Sequence, residues 1–187
     1  MNIFTAELAA KRLGLLHELL PAGSVIAHLI NPNFPPSAIN AREVQGAATT
    51  IGREIFVVNA ATESEIDVAF ETMAEQRLGA VLVGADPYFY SRRHQLVTLA
   101  ARYAIPASYE QREFASAGGL MYYGTDIAES YRQMGAYAGQ ILKGAKPADL
   151  PVVQLTKFEF VINLRTAKAL ALPIPPGVLA IADEVIE

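Results

Sequence analysis

Catalysis needs nucleophiles, proton donors or metal ligands at facing positions, and this chain is poor in them. It has no cysteine, which removes thiolate nucleophiles, disulfides and Cys-based metal sites together. Its histidines, His17, His28 and His94, form no H-x-x-x-H or H-E-x-x-H pair. There is no G-x-S-x-G elbow, phosphate loop or G-x-G-x-x-G fingerprint. Asp86 and Glu110 come nearest to an acid–base couple, yet their spacing does not set them apart from ordinary loop carboxylates. No catalytic residue, metal site or cofactor is therefore expected.

Binding chemistry is better supplied. Asn31 and Asn33 sit beside Pro32, Pro35 and Pro36. As structural residues they build a turn and cap the next helix. As functional residues their amides donate to a ligand anion at that helix N-terminus. Asp86 precedes Pro87 and is either a turn residue or the counter-charge for a ligand amine. Tyr88 and Phe89 follow, placed to stack on a flat ligand. Glu110 and Arg112 read as a local ion pair or a cleft rim. Tyr123 and Asp126 close another apolar run, where Asp126 with Glu129 also reads as a helix cap.

These candidates all sit at the ends of short apolar runs, so the runs must position them. Ser24–Ile30, Glu54–Asn59, Ala80–Gly84, Ile105–Ser108 and Leu120–Gly124 read as strands. Helical periods fill the intervals: Thr5–Leu20, Ser37–Ile51, the segment opened by the capping box Thr62–Glu65, and Arg92–Tyr103. Strands that are apolar throughout and alternate with helices indicate a parallel sheet covered by helices on both faces, a three-layer α/β lobe. Ligands bind such sheets at the carboxyl ends of the strands. After Ala117 the pattern changes. A long helix runs from about Asp126 to Lys143, then Phe158–Ile162 forms a last strand, Asn163 caps a short helix, and Val178–Ile186 reads as a helical turn or two.

The totals narrow the class. The chain has 187 residues, 52% hydrophobic and 18% charged, with a net charge of -4. That is ample for one core, and the acidic balance argues against nucleic acid or an anionic membrane surface. No apolar run approaches the roughly 20 residues of a membrane span. The first residues, Met1-Asn2-Ile3-Phe4-Thr5, do not read as a secretory signal.

Several of these segments together resemble one family. They are Lys11-Arg12-Leu13-Gly14-Leu15-Leu16-His17-Glu18-Leu19, the Asn31-Pro32-Asn33 turn, Asp86-Pro87-Tyr88-Phe89, the run from Glu113 to Gly124, Ile141 to Val152 with its Lys143-Gly144-Ala145-Lys146-Pro147, and Phe158 to Leu164. The chain is similar to ABC-transporter substrate-binding proteins, in particular those assigned to tryptophan and tyrosine transport. The resemblance implies a Rossmann-like lobe of the type I periplasmic-binding-protein fold, no enzymatic activity, an ABC permease as partner, a small solute such as an aromatic amino acid, and a periplasmic location. Where relatives place Thr-Asp-Asn at the end of the third strand, this chain has Ala85-Asp86-Pro87, so only Asp86 carries over.

The resemblance also divides the chain. Residues 5–118 correspond to the second, C-terminal lobe. Residues 119–150 are a hinge strand and a crossover helix that packs on a first lobe, which the sequence is expected to lack. Residues 151–187 are the return strand and C-terminal helices. The stripe Ile127, Tyr131, Met134, Ala138 and Ile141 is then left without its partner. An apolar patch of that kind drives association, so a homodimer is expected, formed by packing or by exchanging the 120–150 arm. Two other readings stay open: the effector-binding domain of a transcriptional regulator, which shares this fold, and a flavodoxin-like enzyme.

Overall fold

The computed structural model describes residues 5–151 and 157–187. Strands β1 (Ile26–Ile30), β2 (Ile55–Asn59), β3 (Ala80–Val83), β4 (Ala107–Tyr109), β5 (Met121–Thr125), β6 (Phe158–Asn163) and β7 (Glu184–Ile186) form one sheet in the order β2-β1-β3-β4-β5-β6-β7. Every pairing is parallel except β5 with β6. The parallel expectation holds from β2 to β5. The reversal comes where the chain leaves along β5 and returns along β6.

Successive residues of β3 enter opposite cores, as the two-residue period of a strand requires. Ala80 and Leu82 face helices α1 (Thr5–Leu19) and α2 (Ser37–Thr50). Val81 and Val83 face α3 (Glu63–Glu75), α4 (Pro87–Ser91), α5 (Arg93–Arg102) and α6 (Arg112–Ser116). Both cores are apolar, with Leu13, Leu16, Ile66, Phe70 and Leu96 fully buried. Edge strand β2 breaks the pattern, leaving Phe56 and Val57 partly exposed.

Local signals set the helix starts. Thr62 and Glu65 form the expected reciprocal capping box on α3. Asp86, Asp126 and Asn163 each accept a backbone amide at the start of α4, α7 (Ile127–Leu142) and α8 (Leu164–Ala169). The 3.6-residue period suggested that helix begins near Arg92 after β3. It begins five residues earlier, because Asp86-Pro87 supplies an N-cap and an N1 proline in succession. The C-terminal end also differs from the expected helical turns. Only α9 (Pro176–Ala180) is helical, and β7 then joins the sheet beside β6.

Helix α7 stands apart. Ile127, Tyr131, Met134 and Ile141 keep 41–68% of their surface exposed, and Ala138 is exposed with them.

Candidate functional site

The strand order reverses around β1. The chain passes from β1 outward to β2, then crosses back to β3 on the other side. The loops after β1 and β3 therefore diverge and leave a crevice between them, the usual ligand position in an open α/β sheet. A cleft of about 630 Å³ lies there, a size suited to a small organic molecule. Phe34 and Pro36 come from the loop after β1, Asp86 and Pro87 from the loop after β3, and Glu110 and Gln111 from the loop after β4. Helix α7 supplies the remaining wall with Ile127, Tyr131 and Met134.

Asp86 is the best-placed polar group. Its Oδ1 accepts the amides of Tyr88 and Phe89 and so starts α4. Its Oδ2 has no hydrogen-bond partner, although the residue is 4% exposed. A carboxylate oxygen held out of water without a donor is costly, so a ligand donor here would be stabilising.

Arg12 lies beneath it, 2% exposed, on the α1 face of the sheet. Its Nη1 donates to the Val83 carbonyl at 2.9 Å. Burial pulls its pKa down while the charge of Glu110 holds it up. The reciprocal effects act on Glu110. Burial pushes its carboxyl up, Arg12 opposes that, the Asp86 charge adds to it, and the Asp86 amide favours the ionised form. His28, under the same helix, is driven to about 3 by burial and then by Arg12, so it is neutral at any ordinary pH.

Of the residues singled out by sequence, Asp86 and Glu110 are brought together in the cleft. The other ligand candidates are placed elsewhere. Asn31 uses its Oδ1 to accept the Asn33 amide at 3.0 Å, an Asx turn that shapes the loop, and neither residue lines the cleft. Phe89 is 1% exposed and buried in the α3–α5 core, so it does not offer a ring to a ligand. Tyr88 carries the Arg92 guanidinium 5.7 Å from its ring centroid. The aromatic that reaches the cleft from this helix is Tyr90. Arg112 does not pair with Glu110. It bridges Glu159 of β6 and Glu184 of β7, tying α6 to the end of the sheet. Tyr123 of β5 stacks on Phe158 of β6. Asp126 caps α7 through the Glu129 amide and pairs with Lys157 at 2.9 Å, which lowers its pKa.

Arg12 and Tyr90 are among several cleft residues, with Phe34 and Glu113, that the sequence did not single out. Arg12 falls within the apolar period of α1, and a cation on a buried stripe was the available signal. Tyr90 lies one residue beyond the aromatics selected. Among the described residues, no group of three or more His, Asp or Glu could hold a metal ion.

The model of a family described as ABC transporter substrate binding protein matches residues 3–186. A tyrosine-binding protein of Clostridioides difficile (strain R20291) is 26% identical over 160 residues, which are 86% of this chain and 46% of that protein. The ABC domain of Streptococcus pneumoniae solved in complex with L-Trp is 26% identical and superposes with a TM-score of 0.83, covering 96% of this chain and 62% of that one. A conserved domain protein of Vibrio cholerae superposes equally well, with a TM-score of 0.83 at 22% identity, over 95% of this chain and 60% of that one. The fold is thus that of a type I periplasmic-binding-protein lobe. The chain spans about half the length of the curated relative and three-fifths of these structures.

Proposed function

The chain belongs to the ABC transporter substrate binding protein family, and we propose that it contributes a solute-binding surface to an ABC importer, outside the cytoplasmic membrane, without catalysis. The solute is a small amine-bearing molecule, an amino acid or a close analogue, seated in the cleft at the ends of β1, β3 and β4. The observation that carries this is Asp86: a buried carboxylate with one oxygen unpartnered, on the wall of a cleft of about 630 Å³. The tyrosine-binding relative and the L-Trp complex favour an aromatic side chain, and Phe34, Tyr90 and Tyr131 supply matching surfaces. Glu110 takes part from the neighbouring loop. In the importer the loaded protein is presented to the permease.

Calorimetric titration with L-tyrosine and L-tryptophan tests this. Saturable binding is expected. Substituting Asp86→Asn, which keeps a capping oxygen, is expected to weaken it. Absence of saturation at millimolar ligand, or an Asp86→Asn variant that binds unchanged, contradicts the proposal.

We also infer that the chain forms a homodimer through Ile127, Tyr131, Met134, Ala138 and Ile141, by packing or by exchange of the 120–150 arm. The exposure of all five side chains supports this reading.

A further inference from the structure

The charges around the cleft are unequal. Among its lining residues Arg12 is the only basic one, against the acids Asp86, Glu110 and Glu113. Arg12 is already engaged: its Nη1 is bonded to Val83, and Glu110 provides an opposing charge. Arg12 Nε and His28 Nδ1 lack partners. Both residues line a separate pocket of about 10 Å³, room for one water but not for a carboxylate. The main cleft is therefore lined by Asp86, whose buried Oδ2 is an unpartnered acceptor, and by the carboxyl-bearing Glu110 and Glu113. Phe34, Tyr90 and Tyr131 share this lining. Acidic oxygens among aromatic rings suit an organic cation, which gains from both the carboxylates and the ring faces.

We propose that the cleft selects its ligand through an ammonium group placed among Asp86, Glu110 and these three rings, and that a carboxylate on the same ligand weakens binding. The preferred solute class is then an arylalkyl amine rather than a zwitterionic amino acid. This rests on the reading of the cleft as a solute site and narrows it. A carboxylate brings no donor for Asp86 Oδ2, and it adds negative charge beside a single, already compensated cation. An ammonium supplies three donors and offsets the excess charge.

Three soluble compounds sharing one phenyl-terminated chain separate the contributions: phenethylamine carries only the amine, L-phenylalanine both groups, and 3-phenylpropionate only the carboxylate. Each is titrated into the chain at neutral pH, following amide chemical shifts by NMR so that millimolar affinities are measurable. Phenethylamine is expected to bind about tenfold tighter than L-phenylalanine, equivalent to about 1.4 kcal/mol, with 3-phenylpropionate weakest. In the Asp86→Asn variant the tenfold preference should fall to about threefold or less, because the charge is gone while the cap remains. L-phenylalanine binding as tightly as phenethylamine, or tighter, overturns this inference and leaves the solute-binding proposal standing. Failure of all three compounds to bind overturns both. An Asp86→Asn variant with the full preference shows that the ammonium does not sit at Asp86 and also overturns the inference.

Discussion

The Nη1 of Arg12 donates to the carbonyl oxygen of Val83 at 2.9 Å, so the one basic side chain on the cleft wall is tied to the last residue of β3. A helix and a strand end are held together at the base of the site, and the same guanidinium faces Glu110. The residue is structural and electrostatic at once. Arg12→Met keeps most of its volume but leaves the Val83 carbonyl without its donor and Glu110 without its counter-charge. A loss of about 2–4 kcal/mol at neutral pH is expected. The loss should depend on pH in a defined direction. Burial already raises the Glu110 pKa in the folded chain, and Arg12 opposes that rise. Removing Arg12 raises it further, so the ionised carboxyl costs more above the folded pKa and nothing once it is protonated. Urea unfolding of both proteins should show the gap narrowing as pH falls from neutral to mildly acidic. A gap that widens in acid contradicts the assignment.

A second buried arginine closes the C-terminal end of α1. Arg53 is 8% exposed. Its Nε donates to His17 Nδ1 at 2.7 Å, and its guanidinium also reaches the carbonyls of Pro21 at 2.8 Å and Leu20 at 3.1 Å. Those carbonyls lie at and beyond the helix end, where no intrahelical donor remains. Arg53→Ala should cost about 2–4 kcal/mol, because several acceptors lose their donor together. Arg53→Lys should recover little, since an ammonium cannot serve a fan of acceptors as a planar guanidinium does. Thermal unfolding of the two variants checks this. A lysine variant as stable as the parent argues against multiple bonding.

How much of this could be read in the sequence depended on the kind of signal. Apolar runs separated by helical periods locate β1, β2 and β3 to within two residues of their ends. Thr62, Asp126 and Asn163 cap as their positions suggest. The site is less legible, because which face a residue occupies turns on helix phase. Each residue rotates a helix by about 100°. Starting α4 at Pro87 instead of Arg92 therefore exchanges a ligand-stacking Phe89 for a buried one and brings Tyr90 to the cleft. Arg112 is misread for another reason. Its partners, Glu159 and Glu184, are 47 and 72 residues away and meet it only because β6 and β7 close the sheet. β7 itself has three residues, too few for a period to show.

One helix end offers a stabilising change. Ala104 follows α5 with φ of 54°, in the left-handed region, and Ile105 donates to the Ala100 carbonyl at 2.9 Å to complete the turn. Glycine is the residue that relieves this conformation. An alanine there carries roughly 1–2 kcal/mol of strain, partly offset in Ala104→Gly by the greater freedom of glycine in the unfolded chain. A net gain of about 0.5–1 kcal/mol is expected by urea unfolding. A destabilised glycine variant would mean that the strain is smaller than the entropy it replaces.

Along α7, Ile127, Tyr131, Met134 and Ile141 are exposed by 48%, 68%, 43% and 41%. Glu129 and Arg132 form an ion pair elsewhere on the helix, so an apolar stripe lies beside a charged surface, as on an amphipathic helix. Covering several hundred Å² of such surface stabilises an assembly by roughly 10 kcal/mol at about 25 cal/mol per Å², before the costs of ordering are subtracted. The parent chain is therefore expected to sediment as a dimer. Met134→Glu combined with Ile141→Glu places two charges on the stripe, at its middle and its end, and should shift it to monomer. Neither side chain is buried within the protomer, so the circular dichroism spectrum and the unfolding free energy per protomer should change little once association is allowed for. A parent chain that sediments as a single monomeric species, or a double variant that still dimerises, shows that this face does not join the copies.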